Sequence, residues 1–223
     1  MTRKISKSAV LGALLLSLLP LGEALAFDPG PREGKWDFTV QMRYNEGQSL
    51  NGTNGSSAEI NDTLGWGFGI GYNLTNNLAL AMDISWANAN YNGTYTTSGG
   101  GSGSTYGTLY SSTVALNMTY YFTQGAIAPF VIGGIGSTFV DTNIPNGAPS
   151  SGCWYDPWYG YICNTYQSTY SSTSFSYNAG LGLRWDLAPG FFLRGILAEQ
   201  WVDTTNGTIE IPNFRLDIGF SFR

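Results

Sequence analysis

The sequence contains no histidine, which removes the commonest general base and a leading metal ligand before any motif is sought. Charge is scarce too, at 11% of 223 residues, against about 25% in an average soluble domain. Beyond residue 26 there is one lysine, Lys35, and neither Lys nor Arg occurs between Arg43 and Arg184. A soluble exterior dressed in Lys and Glu cannot be assembled from such a chain. Residues 27–223 also lack any apolar run of about 20 residues, so no helix is available to span a bilayer. What is abundant instead is aromatic side chain, at 15%, and glycine, at 30 residues without a collagen period, which together exclude disorder and fibre.

Arg3, Lys4 and Lys7 precede an apolar run from Ala9 to Leu19, and Ala24-Leu25-Ala26 supplies the small residues of a cleavage site. This is the order of a secretory signal peptide, and Pro20, Gly22 and Glu23 interrupt the run too early for an anchor. The expected organisation is a signal peptide over 1–26 and one domain over 27–223, with seven Lys and Arg against fourteen Asp and Glu. An exported chain without a helical anchor has three destinations: free periplasm, secretion, or insertion as a closed β-barrel.

Hydrophobicity recurs every second residue almost throughout. Trp36, Phe38, Val40, Met42 and Tyr44 alternate with polar residues; Leu64, Trp66, Phe68, Ile70 and Tyr72 alternate with Gly65, Gly67, Gly69 and Gly71. Similar runs cover Leu78 to Trp86, Tyr106 to Phe122, Ser174 to Trp185 and Phe214 to Phe222. In Ala128 to Val140 the parity stays open, because Phe130 and Ile132 compete with Val131 and Ile135 for the apolar face. In Phe191 to Val202, Glu199 falls on the apolar face of Leu193, Leu197 and Trp201, which calls for a bulge or a near-surface position. Eight strands result. Short connections at Asn73 to Asn77, Thr123 to Ile127 and Asp186 to Gly190 alternate with long polar ones at Asn45 to Ile60, Ala87 to Thr105, Asp141 to Ser168 and Thr204 to Pro212.

Alternation alone does not say whether the apolar face lines a barrel, as in a soluble ligand carrier, or meets lipid. The other face decides: it carries Gly, Ala, Ser, Asn and a few Asp and Arg, which suit the crowded lumen of an eight-stranded barrel and not a wet exterior. Aromatics gather near strand ends, as interfacial girdles do. The fold class expected is all-β, an eight-stranded antiparallel up-and-down transmembrane β-barrel. Short turns would face the periplasm with the N-terminus, and long loops the cell exterior.

The carboxyl end Leu216, Ile218, Gly219, Phe220, Phe222 and the run Pro129-Phe130-Val131-Ile132-Gly133-Gly134-Ile135-Gly136 resemble those of the small OmpA/OmpX/OmpW-like outer-membrane β-barrel superfamily. The likeness implies a Gram-negative outer membrane, contact with its lipid and lipopolysaccharide, and recognition by the barrel-assembly machinery, although Arg223 follows the usual terminal aromatic. OmpW-type relatives imply narrow passage of ions or small apolar molecules as an alternative role.

On the polar faces Asp37, Arg43, Asp83, Arg184, Arg194, Arg215 and Asp217 should enter the lumen, where isolated ions are costly and a connected charge network is expected. Its two readings are a plug that stiffens the barrel and a gate that rearranges. Cys153 and Cys163, in an exported chain, should form a disulfide. Between them Trp154, Tyr155, Trp158, Tyr159 and Tyr161 form an aromatic cluster that either packs on itself or presents a recognition tip to a surface ligand. Glu46, Glu59, Asp62, Asp141 and Asp156 make the loop crown acidic, which disfavours nucleic acid. No catalytic residue, cofactor or metal site is expected: a Ser nucleophile here has no histidine to accept its proton. The function expected is a non-enzymatic envelope scaffold that displays surface loops, with the channel as alternative and a soluble periplasmic carrier behind both.

Overall fold

The computed structural model describes residues 28–51, 57–96, 101–145, 150–158, 160–166, 169–205 and 207–223, and none of these is helical. The expected signal peptide, 1–26, lies outside the described residues. In chain order the strands are β1 (Trp36–Asn45), β2 (Gln48–Asn51), β3 (Ser57–Ile60), β4 (Thr63–Asn73), β5 (Leu78–Thr96) and β6 (Ser102–Tyr121). They continue as β7 (Ile127–Pro145), β8 (Ser150–Asp156), β9 (Gly160–Tyr166), β10 (Thr169–Ala188), β11 (Phe191–Thr204) and β12 (Gly207–Phe222). Eight of them, β1, β4, β5, β6, β7, β10, β11 and β12, pair with their ring neighbours antiparallel. The ring closes where β1 meets β12, from Trp36 opposite Phe222 to Asn45 opposite Asn213. Closure leaves the eight-stranded ring without an open edge, the condition for a sheet in hydrocarbon.

The apolar face points outward. Phe68 and Leu80 are 39% and 38% exposed, and Val40, Met42, Ile70, Leu116, Leu181 and Ile218 share that outer surface, while Asp37, Thr39, Gln41, Asp83 and Asn117 are buried within. The open parity of β7 resolves the same way: Val131 and Ile135 face outward, and Phe130 and Ile132 fill the lumen. Glu199 needs no bulge. The β11–β12 register runs unbroken from Phe191 to Thr204, so Glu199 keeps its outward position, half-buried, one outward step from Trp201. Aromatic pairs mark both borders of the apolar band, with Trp36–Tyr72 at 5.0 Å near the short turns and Trp66–Trp86 at 4.8 Å and Tyr177–Trp201 at 5.3 Å near the other end.

The long loops expected from the sequence are largely strand. Ladders continue to Thr96 opposite Ser102, to Pro145 opposite Thr169 and to Thr204 opposite Gly207, and Asn45 to Ile60 holds the β2–β3 hairpin, which pairs onto β5. About 9 to 11 tilted residues suffice to cross hydrocarbon, so β5 completes its crossing near Trp86 and continues into water. There its alternation changes phase. Asn88, Asn90, Asn92 and Thr94 face out and are exposed, whereas Ala89, Tyr91 and Gly93 face in and are buried. A wall in water needs polar outside and apolar inside, the reverse of a wall in lipid, and a search for apolar-outward strands takes the reversed segment for loop.

Glycines on the inner face seat large side chains of adjacent strands. A Cβ on Gly219 would collide with the Phe192 ring, one on Gly69 with Asp83, Thr39 and Gln41, and one on Gly182 with the Phe130 ring. Gly195, on the outer face, has nothing within 4 Å of such an atom. Gly219→Val is therefore expected to lower stability by about 1–3 kcal/mol through overpacking, and Gly195→Val to leave it unchanged, as measured by urea unfolding in lipid.

Candidate functional site: the lumen and the disulfide hairpin

The pleat brings six of the seven charged residues of the inner face, all but Arg43, into two groups along the barrel axis, and Arg32 and Asp186 join them. Nearer the short turns, Arg184 reaches Asp37 at 2.6 Å and Asp186 at 3.0 Å, and Arg32 reaches Asp186 at 3.0 Å. Ser221 Oγ donates to Asp37 and accepts from Arg184. Arg32 comes from the segment preceding β1 and also donates to the carbonyls of Thr123 and Gly125, so it ties that segment across the barrel end to the β6–β7 turn. Higher in the lumen, Asp217 lies between Arg194 at 2.8 Å and Arg215 at 3.0 Å, and Arg215 reaches Asp83 at 3.0 Å. Asp83 also accepts from Gln41 and Asn117, both at 2.7 Å.

Each group contains two guanidinium and two carboxylate charges, so each is neutral. Desolvation makes neutrality a requirement here: an unpaired ion in a protein-lined interior costs several kcal/mol. Phe192 separates the groups, with Arg184 stacked 3.6 Å and Arg194 5.6 Å from its ring centre. Its ring occupies the space that Gly219 leaves. Tyr121 receives Arg32 and Arg184 at 5.0 and 5.7 Å in the same way.

Arg43 is the exception. Among the described residues it forms no salt bridge; its Nη1 donates to Gln200 Oε1 at 3.1 Å, and its Nε has no partner. Gln200 in turn donates to Thr138 at 3.1 Å, and Thr138 shares a 3.0 Å hydrogen bond with Thr113. This polar layer has a void of about 20 Å³ on one side, toward Arg215 and Asn117, and on the other a cavity of about 400 Å³ that opens toward the long-loop end.

Sequence spacing missed Arg32 and Asp186. The sequence pattern places Asp186 in a short connection, yet β10 runs on to Ala188 with a register shift after Asp186, and its position two residues from Arg184 is the available signal. Arg32 lies outside any alternating run and gave none.

The β8–β9 hairpin is a separate two-stranded sheet between β7 and β10. Cys153 stands opposite Cys163, and the disulfide joins them. Tyr155 and Tyr161 form the next same-face pair, with ring centres 5.5 Å apart, and Gly160 supplies the positive φ (77°) of the closing turn. Tyr155, Trp158 and Tyr161 are 64%, 85% and 80% exposed. Tyr159 and the side chain of Trp154 lie outside the described residues.

Residues 11–222 match the outer membrane protein beta-barrel domain. The chain belongs to that family. Among solved structures it is similar to the outer membrane protein OprG of Pseudomonas aeruginosa, with a TM-score of 0.53 and 12% identity, covering 88% of this chain and 100% of that one. It is also similar to Neisserial surface protein A, with a TM-score of 0.50 and 16% identity, covering 85% and 98%. These likenesses establish the fold, and the barrel resides in a Gram-negative outer membrane. Comparison with curated protein sequences finds no match.

Asp217 is 0% exposed and serves two arginines. Asp217→Asn is expected to cost about 3–5 kcal/mol, the usual penalty for stranding a buried partner, measurable by urea unfolding in lipid.

Proposed function

We infer that the chain is a non-enzymatic scaffold of the outer membrane that holds a rigid, disulfide-braced aromatic hairpin at the cell surface for contact with a surface ligand. The hairpin itself is the main support. It stands outside the barrel sheet, is cross-linked at Cys153 and Cys163, and exposes Tyr155, Trp158 and Tyr161. Apolar rings held out in water, on a frame that loses little further freedom, are suited to a binding surface. The orientation follows from the connections: short turns in the periplasm with the N-terminus, and the hairpin outside. Residues 1–26 act as the export signal, and the end of β12, from Leu216 to Phe222, is what the assembly machinery reads. Lipopolysaccharide then surrounds the outer belt.

The lumen acts as a plug. Two neutral ion groups and the Phe192 ring occupy its lower half, and a conduit would have to break several buried pairs at once. Nucleophilic catalysis finds no base in a chain without histidine. Purified protein in planar bilayers is expected to give no discrete conductance steps; reproducible steps would establish the channel alternative. Deleting Pro157 to Gly160 with the disulfide kept is expected to abolish binding of the protein to cell surfaces while leaving barrel stability unchanged, and undiminished binding would remove the display role.

A further inference from the structure

The phase reversal above the membrane gives the barrel mouth an interior of a different kind from the charged lumen below it. Ala89, Leu109, Val140, Val202, Ile209 and Ile211 line the 400 Å³ cavity, while their strand neighbours Asn88, Asn90, Tyr110, Asp141, Asp203 and Glu210 face outward and are exposed. The mouth is therefore an apolar cup in water, built like the interior of a soluble ligand-binding barrel and within the size range of small-molecule sites. The cup has a closed floor. Gln200, Thr113 and Thr138 are bonded to one another across it, and Arg43 projects beside them.

Arg43 gives the cup a chemical preference. The four guanidiniums and four carboxylates below it cancel, so its charge is the surplus of the lumen network. Of the residues lining the cavity only Arg43 and Glu46 carry charge. Glu46 belongs to the rim, about 10 Å further along the chain by strand rise, where its backbone N–H bonds Pro212 O. A single positive charge at the bottom of an apolar cup is balanced by one negative charge, and a dianion would carry an excess into a site that cannot solvate it.

We propose that this cup is a binding site for a monoanionic amphiphile, a carboxylate with a short apolar tail. The head group seats on Arg43 and the tail lies against Ala89, Leu109, Val140, Val202, Ile209 and Ile211. Because the lumen below is filled, the ligand enters and leaves by the same mouth. The site is independent of the β8–β9 hairpin.

The test is calorimetric titration of octanoate and of octanol into the folded protein in phosphatidylcholine nanodiscs, with empty nanodiscs as reference. Saturable one-site octanoate binding is expected, tighter than octanol, and weakened about tenfold or more in Arg43→Met, the loss of one charge-assisted contact. Octanol binding should not change in that variant. Arg43 has no salt bridge to lose among the described residues, and retained heat-modifiable gel mobility checks that the variant folds. Ala89→Trp, which fills the cup and leaves Arg43 in place, should abolish binding of both probes. Octanoate uptake equal to that of empty nanodiscs would overturn the proposal. So would equal affinity for octanol, or octanoate binding that either substitution leaves unaltered.

Discussion

A closed hydrogen-bonded wall forces successive side chains to opposite sides, and every other feature of this protein is arranged around that alternation. With no open edge, the ring of β1, β4, β5, β6, β7, β10, β11 and β12 can sit in hydrocarbon, provided one set of alternate residues is oily and the other can be packed within. Along β5 the exterior changes from lipid at Leu80, Met82 and Trp86 to water at Asn88 and Asn90, and the residue pattern changes phase where the surroundings do. One continuous strand thus serves two solvents.

The inner side meets the opposite problem, since eight strands enclose too little space for many large groups yet the large groups must be charged in pairs. Glycine solves the volume problem locally. Gly219 admits Phe192, Gly69 admits Asp83 with its partners, and Gly134 admits Asn117. Ion pairing solves the electrostatic one, with Asp217 shared by Arg194 and Arg215, and with Arg184 bridging Asp37 and Asp186. The lumen is filled as far as Arg43 and Gln200 and empties into an apolar mouth above them. That leaves one barrel with a packed lower half and an open upper end.

The membrane part of the fold was legible because lipid demands an unbroken oily row, as in Trp36 to Tyr44 or Leu64 to Tyr72. Legibility failed where the lumen itself takes apolar residues. Phe130 and Ile132 pack inside, against Gly182 and Tyr121, and so erase the contrast that would have fixed the parity of β7. It failed again above the membrane, where Asn88 to Thr94 alternates correctly for water but in the wrong phase for lipid. The side of the wall on which Asp83 or Arg215 lies follows from counting by twos. Which carboxylate meets which guanidinium depends on strand tilt and register, and the contribution of Arg32 depends on a chain segment with no period at all.

The decisive measurement is nitroxide accessibility along β5 in lipid bilayers, with single cysteines introduced at each position from Leu80 to Asn92 and the native disulfide left intact. Labels at Leu80, Met82, Ile84 and Trp86 should collide with dissolved oxygen and not with a water-soluble nickel chelate, those at Asn88, Asn90 and Asn92 with the chelate, and those at Ala81, Asp83 and Ser85 with neither. Chelate access at Met82 and Ile84, or oxygen access at Asp83, would contradict the outward placement of the apolar face.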